Sequence, residues 1–253
     1  MKTLIAFAVA AASHAAEGTL PVAPPTSTQR SDEVQVVNVA GVRAEPLKRY
    51  RSMLAGVRAF DKLKPVLGPE AALSFQLVPA NADEGAPFPT DIRLSLLGEK
   101  TSLQIPVTTD GLFSLPVPQE VNEDDPELTT NQKKGSVLWR ADVRSPGVSA
   151  GVRRLGDLRL ECAANTEIIK TEAPWAARMA LGLISLGGDW CSITSGKYSF
   201  PAPKRLKAVY ITSGERRAEL EHWGTGYNAP VGDTAWPNNA LVEFSFSPAT
   251  TPP

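Results

Sequence analysis

Cysteine and histidine are almost missing from this sequence, with two of each among 253 residues. So small a stock excludes zinc fingers, His-rich sites and thiolate clusters before any spacing is considered, and neither a metal site nor a cofactor is expected. An excess of charge of either sign is missing too. Lysine and arginine number 26 and aspartate and glutamate 27, a net charge of −1. With no global field to hold phosphates, nucleic acid is not expected as a partner. Nowhere is the chain apolar for the roughly 18 residues that a membrane-spanning helix needs, so no transmembrane segment is expected. What the chain has in quantity is punctuation: 19 glycines and 22 prolines break it into short segments. Its length suffices for one large domain or two small ones with a real core.

The first residues carry an address. Lys2, then the small and apolar run Thr3 to Ala12, then Ser13 and Ala15 flanking a peptidase site, read as a secretory signal peptide over residues 1–15. An apolar run of about ten residues is too short to span a hydrocarbon core about 30 Å thick. No cysteine lies near the cleavage point, which argues against a lipid anchor, and the expected location is the periplasm or the exterior. In that oxidising setting Cys162 and Cys191 read as one structural disulfide, worth roughly 3 to 4 kcal/mol through its effect on the unfolded chain. A redox-active pair would want the Cys-x-x-Cys spacing that these two lack.

Residues 16–32, rich in proline, threonine and serine, read as a disordered linker, and residues 248–253 as a disordered tail. Between them the expected plan is a strand plus an amphipathic helix over 33–68, a β-sandwich domain over 69–170 and a β-rich C-terminal domain over 171–247. Val34, Val36 and Val37 suggest the strand. From Pro46 the pattern turns helical: Leu47, Tyr50, Met53, Leu54, Val57 and Phe60 share an arc of about 140°, opposite a basic face. Such a helix packs on a core or lies on anionic lipid; Gly56 in its middle costs about 1 kcal/mol of helix stability and argues for tertiary support.

From Ala72 the period becomes two. Leu73, Phe75 and Leu77 alternate, as do Ile92, Leu94 and Leu96, then Leu103, Ile105 and Val107, with turns at Gly98-Glu99 and Asp110-Gly111. Trp139 lies in a further strand, and Leu155, Leu158 and Leu160 lead as another into Cys162. This pattern predicts an antiparallel sandwich with Phe75, Leu77, Leu94, Leu96, Leu103, Ile105, Phe113, Leu115 and Trp139 inward. Pro106 and Pro116 mark edges or bulges. The run Val107-Thr108-Thr109-Asp110-Gly111-Leu112-Phe113-Ser114-Leu115-Pro116 resembles the strand-turn-strand segment of carboxypeptidase-regulatory, transthyretin-like modules, over residues 72–117 at most. The resemblance implies an immunoglobulin-like or prealbumin-like fold without catalytic residues of its own. Arg144 to Val148 and Arg153 to Cys162 resemble exported proteins of Gram-negative bacteria to which no activity is assigned.

Pro174, Trp175, Met179, Leu183 and Leu186, closed by Gly187, read as a short helix, after which strands return to Phe246. Once a signal peptide is removed, any Ser-His-Asp arrangement must use His222, which beside Trp223 and a glycine turn reads more simply as a packing or surface residue. Gly224-Thr225-Gly226-Tyr227-Asn228-Ala229 matches a loose dinucleotide fingerprint, but no apolar strand precedes it and Pro230 follows where a helix must open. Asn122 to Glu127 gathers hard oxygens without the spacing of a calcium loop, and reads as a solvated acidic loop.

His222, Trp223, Tyr227 and Trp236 are the densest collection of recognition-type residues, set among glycine, asparagine and proline. They either plug the core of a loop-rich C-terminal part or form a binding surface. Two classes of function remain open. One is an exported, non-enzymatic envelope protein in a binding or structural accessory role, its partner another envelope protein or a glycan; the other is a secreted hydrolase with an acidic site that no motif marks. No feature of the sequence bears on oligomeric state.

Overall fold

The alternation that begins at Ala72 becomes a mainly β fold in which every strand pairing is antiparallel. The structure, a computed structural model, describes residues 45–81, 88–117, 121, 124–149, 151–174, 176, 190–192 and 198–248. The signal peptide, the linker, the strand expected at Val34 to Val37, most of the helix expected after Pro174 and the tail beyond Pro248 lie outside the described residues.

In the N-terminal part, strand β1 (Glu45–Arg49) leads into helix α1 (Tyr50–Leu67). Then follow β2 (Ala72–Pro79), β3 (Leu94–Leu97), β4 (Ser102–Ile105), β5 (Leu112–Phe113), β6 (Glu127–Thr130) and β7 (Val137–Arg144). They form two sheets, ordered β1-β6-β3-β4 and β5-β2-β7. Phe75, Leu77 and Phe113 from one sheet and Leu94, Leu96, Ile105 and Leu128 from the other share a core with Tyr50, Met53, Leu54 and Phe60 of α1. The amphipathic stripe of α1 is therefore a core-facing stripe. Its start differs from expectation: Pro46 to Arg49 are strand, paired with β6 around a bulge at Leu47, so the helix opens at Tyr50. Proline tolerates that place because β1 is an edge strand. Leu103 also departs from expectation, lying 37% exposed. It sits on β4, the opposite edge, beyond which no further strand pairs among the described residues. Leu115 and Trp139 pack against the core but remain half-buried.

The C-terminal part begins with β8 (Val152–Arg154) and helix α2 (Leu155–Glu172). A 3-10 turn (Trp190–Ser192) precedes β9 (Tyr198–Pro201), β10 (Leu206–Ser213), β11 (Arg216–Glu219), β12 (His222–Trp223), β13 (Gly226–Ala229) and β14 (Leu241–Phe246). These strands form two sheets, β11-β10-β14-β8 and β12-β13-β9. Phe200, Leu206, Val209, Ile211, Tyr227 and Val242 are the body of a second core.

Helix α2 replaces the strand expected from Leu155 to Cys162, and the reason is its double burial. Leu160, Ala164 and Ile168 face the first core, while Leu155, Leu158 and Cys162 face the second. Two apolar stripes interleave, so the sequence loses the single stripe that marks a surface helix and mimics alternation instead. Its first amides are satisfied from outside the helix, Leu155 N donating to Ala240 O and Gly156 N to Asn238 O at 2.9 and 2.8 Å. A Cβ on Gly156 would lie 2.1 Å from Leu67 O, so only glycine fits this approach. Helices α1 and α2 cross just as closely at Gly56, where a Cβ would meet Ile168 at 2.6 Å. The boundary expected between residues 170 and 171 falls in the last turn of α2. The Cys162–Cys191 disulfide is formed, with Cα atoms 6.0 Å apart, and ties α2 to the 3-10 turn.

Candidate functional site

Strands β12 and β13 are one hairpin with a two-residue turn, Gly224-Thr225, between the paired Trp223 and Gly226. Gly224 takes φ +46°, which glycine adopts without strain at the first turn position. The run that matches a loose dinucleotide fingerprint is thus a hairpin, continuing as strand β13 rather than opening a helix. Alternation then assigns faces. Tyr227 and Ala229 point into the second core; Gly226 and Asn228 point outward. Strand β9 pairs with β13 so that Gly226 stands opposite Pro201 and Asn228 opposite Ser199, both on the outer face, while Phe200 points in.

The four aromatic and histidine candidates consequently do not share a surface. Tyr227 is fully buried, its ring 5.8 Å from Phe200 and 4.9 Å from Phe244 between centroids. Trp236 is buried as well, covered by the Arg216 guanidinium 3.7 Å from its ring centroid. His222 is half-buried and its Nε2 donates to Lys207 O at 3.1 Å, so that nitrogen carries a proton and offers no lone pair. Trp223 alone among them is open, 49% exposed, with its indole lying over Gly226. A Cβ at position 226 would come within 2.6 Å of that ring, so the absence of a side chain there makes the seat on which the indole rests.

Beside this aromatic seat runs a polar row that the sequence did not single out. Ser199 Oγ donates to Asn228 Oδ1 at 2.8 Å, and Asn228 Nδ2 donates to Glu221 Oε2 at 3.0 Å. Finding that row requires knowing that residues 198–201 pair with 226–229, and no local signal in the sequence carries this.

The acidic side chains that are buried serve the frame. Glu161 Oε2 accepts from Arg153 at 2.6 Å and from the Val143 amide at 3.3 Å, in a seam between β7, β8 and α2. Asp142 accepts from Arg144 Nε at 3.0 Å and lies 3.9 Å from Arg153. Asp157, in the first turn of α2, accepts from the Ser145 amide and hydroxyl at 2.9 and 2.6 Å, where the helix dipole also favours a negative charge. Burial works against the charge on Arg153, yet Glu161, Tyr227 and Asp142 more than offset it, and the guanidinium is held more basic than usual. Burial pushes the Tyr198 phenol up to about 12, against a hydrogen bond with Asn165. Tyr227 is raised further in the same direction by burial. Its hydroxyl and Arg153 Nε are buried without a hydrogen-bond partner among the described residues.

Of the acidic loop, Asn122 and Glu123 lie outside the described residues. Asp124 accepts from the amides of Lys100 and Thr101 at 3.1 and 2.8 Å, and Asp125 pairs with Arg51. The Thr101 side chain, helped by these amides, holds the Asp124 carboxyl below its ordinary range despite some desolvation. Among the described residues no group of three or more His, Cys, Asp or Glu side chains is placed to hold a metal ion.

Two further features have the look of chemistry. Gly147-Val148-Ser149-Ala150-Gly151 has the Gly-x-Ser-x-Gly spacing of a nucleophile elbow, a motif not expected in this chain. Ser149 is exposed and lies between two strands, β7 and β8, not at the turn of a strand into a helix. A cleft of about 540 Å³ lies between Leu63 and Leu67 of α1 and the 231–238 loop. Arg159 lines it, but its guanidinium is committed to that loop: to Val231 O at 2.8 Å, Asp233 O at 2.8 Å, Trp236 O at 3.0 Å and Asn238 Oδ1.

No protein-family model, curated protein or solved structure matches this chain. No helix among the described residues is long and apolar enough to cross a membrane.

Proposed function

We propose that this chain is an exported, non-enzymatic envelope protein that works by binding, built on sandwich-type units related to the transthyretin-like modules that residues 72–117 resemble. The single observation that carries the binding part is Trp223. Phe200, Tyr227 and Trp236 of the C-terminal part fill the core, whereas this indole is half open, seated on a glycine next to the turn of a hairpin. A rigid aromatic contributes contact area at small entropy cost, and positions of this kind carry a large share of binding energy. The disulfide supports export, since such bonds persist in oxidising compartments. Two sheets contributing to one core in each part support the sandwich reading.

A hydrolase with an acidic site of the glycosidase kind would need paired carboxylates facing a cleft. Asp142, Asp157 and Glu161 instead spend their oxygens on Arg144, Ser145, Arg153 and backbone amides. The test is a photo-reactive residue placed at position 223, and separately at the exposed Val66 as a control, in the exported protein. A discrete adduct from 223 and none from 66 is expected. Equal labelling from both, or turnover of glycan, ester or peptide substrates by the purified chain, would overturn the reading.

A further inference from the structure

The outer face of the β12-β13-β9 sheet has a chemistry that names a ligand class. It presents two rows across three strands. Trp223, Gly226 and Pro201 form the first, apolar and flat; Glu221, Asn228 and Ser199 form the second, linked by hydrogen bonds along the row. Strands about 4.8 Å apart and same-face residues about 7 Å apart make a platform of roughly 10 by 7 Å, the footprint of one sugar ring and its substituents. We propose that this face binds a neutral glycan of β-linked, gluco-configured pyranose units, one ring lying flat on the Trp223 indole with its hydroxyls reaching the Asn228 amide and the Ser199 hydroxyl. This rests on the reading of the protein as a binding protein and adds the class of its ligand.

Each element of the face selects against other occupants. An apolar peptide would cover the polar row and leave Asn228 and Ser199 without the water they now reach, at a cost for each unmet group. A nucleotide base would stack on the indole as readily as a sugar. Its phosphates, however, would meet no basic side chain in either row, and sialic or uronic acids would find none there either. A pyranose with equatorial hydroxyls matches both halves, because its axial C–H bonds make an apolar face and its rim is all hydroxyl. The polar row is also set in advance: Glu221 holds the Asn228 amide, and Asn228 receives the Ser199 hydroxyl, which leaves the second Asn228 amide hydrogen and the Ser199 oxygen lone pairs for a ligand. Gly226 keeps the indole seated, so its lack of a side chain belongs to the site.

The experiment titrates cellohexaose and chitohexaose into the full chain up to millimolar concentration, followed by calorimetry and indole fluorescence, with thermal unfolding recorded for every variant. Binding of one or both is expected. Trp223→Ala should weaken it about tenfold or more, the usual loss at a central contact, with Trp223→Tyr recovering most of the affinity. Gly226→Ala, which displaces the ring without removing it, should weaken binding several-fold while the melt is retained. Asn228→Ala should do the same. Binding that Trp223→Ala leaves untouched would place the site elsewhere and overturn the proposal. No binding of either oligosaccharide overturns the glycan assignment; the binding reading then stands if position 223 still cross-links an envelope protein, and falls with it if it does not.

Discussion

Arg153 and Glu161, both almost wholly buried, decide how the seam between the two cores tolerates change. A buried ion pair contributes little net energy against a well-packed apolar replacement, but removing one partner strands the other. Glu161→Ala should therefore cost about 3 to 5 kcal/mol in chemical unfolding, and a loss below about 1 kcal/mol would mean that solvent reaches Arg153. Tyr227→Phe is the contrasting case. It deletes a buried hydroxyl that has no partner among the described residues and keeps the ring between Phe200 and Phe244. The variant should be as stable as the parent or more so, because an orphaned buried polar group costs about 1 to 3 kcal/mol. Single residues were the least legible part of this sequence. His222, Trp223, Tyr227 and Trp236 look alike as turn-rich aromatics, and only the parity of β13 and its pairing to β9 separate the buried Tyr227 from the open Trp223. Asn228 and Ser199 became part of a site through that same pairing, which joins stretches 29 residues apart.

At the scale of elements, strands with one apolar side announced themselves and elements buried on two sides did not. Strands β2 and β3 carry Phe75, Leu77, Leu94 and Leu96 where alternation places them, because one face meets the core and the other does not. Helix α2 hid because its two stripes feed two cores. Gly56 illustrates what propensity alone misses. In an isolated helix Gly56→Ala would gain about 1 kcal/mol; here the added methyl meets Ile168 at 2.6 Å and Ala164 O at 2.9 Å across the α1–α2 crossing. The variant should instead lose about 1 to 3 kcal/mol to overpacking. Adding Ile168→Val should return part of it, since the side chain yields and the backbone oxygen does not. A more stable Gly56→Ala protein would mean that the crossing is looser than described.

On the scale of the whole molecule, α2 is the wall that both cores share and the disulfide fastens its side facing the second core. Three of the four tyrosines, Tyr50, Tyr198 and Tyr227, have phenols raised by burial. A phenol with its folded-state pKa raised keeps its proton in the folded chain while the unfolded chain loses it. The stability it contributes is complete below the ordinary phenol value of about 10 and is lost as pH rises through the folded value, about 12 for Tyr198. The phenolate absorbance of Tyr198 and Tyr227 should then rise in one steep step with loss of β structure in that window; gradual titration of these two with the fold intact would contradict their burial. The division between a filled core and an open outer face is the centre of the account, and two alanine variants compared side by side test it most directly. Co-sedimentation of the purified chain with isolated cell envelope and thermal unfolding are measured for Trp223→Ala and Trp236→Ala. The first should melt as the parent does and lose about tenfold in envelope binding; the second should melt markedly lower, having emptied a core position. A Trp223→Ala protein that unfolds early, or that binds as well as the parent, would contradict the assignment of this face to binding.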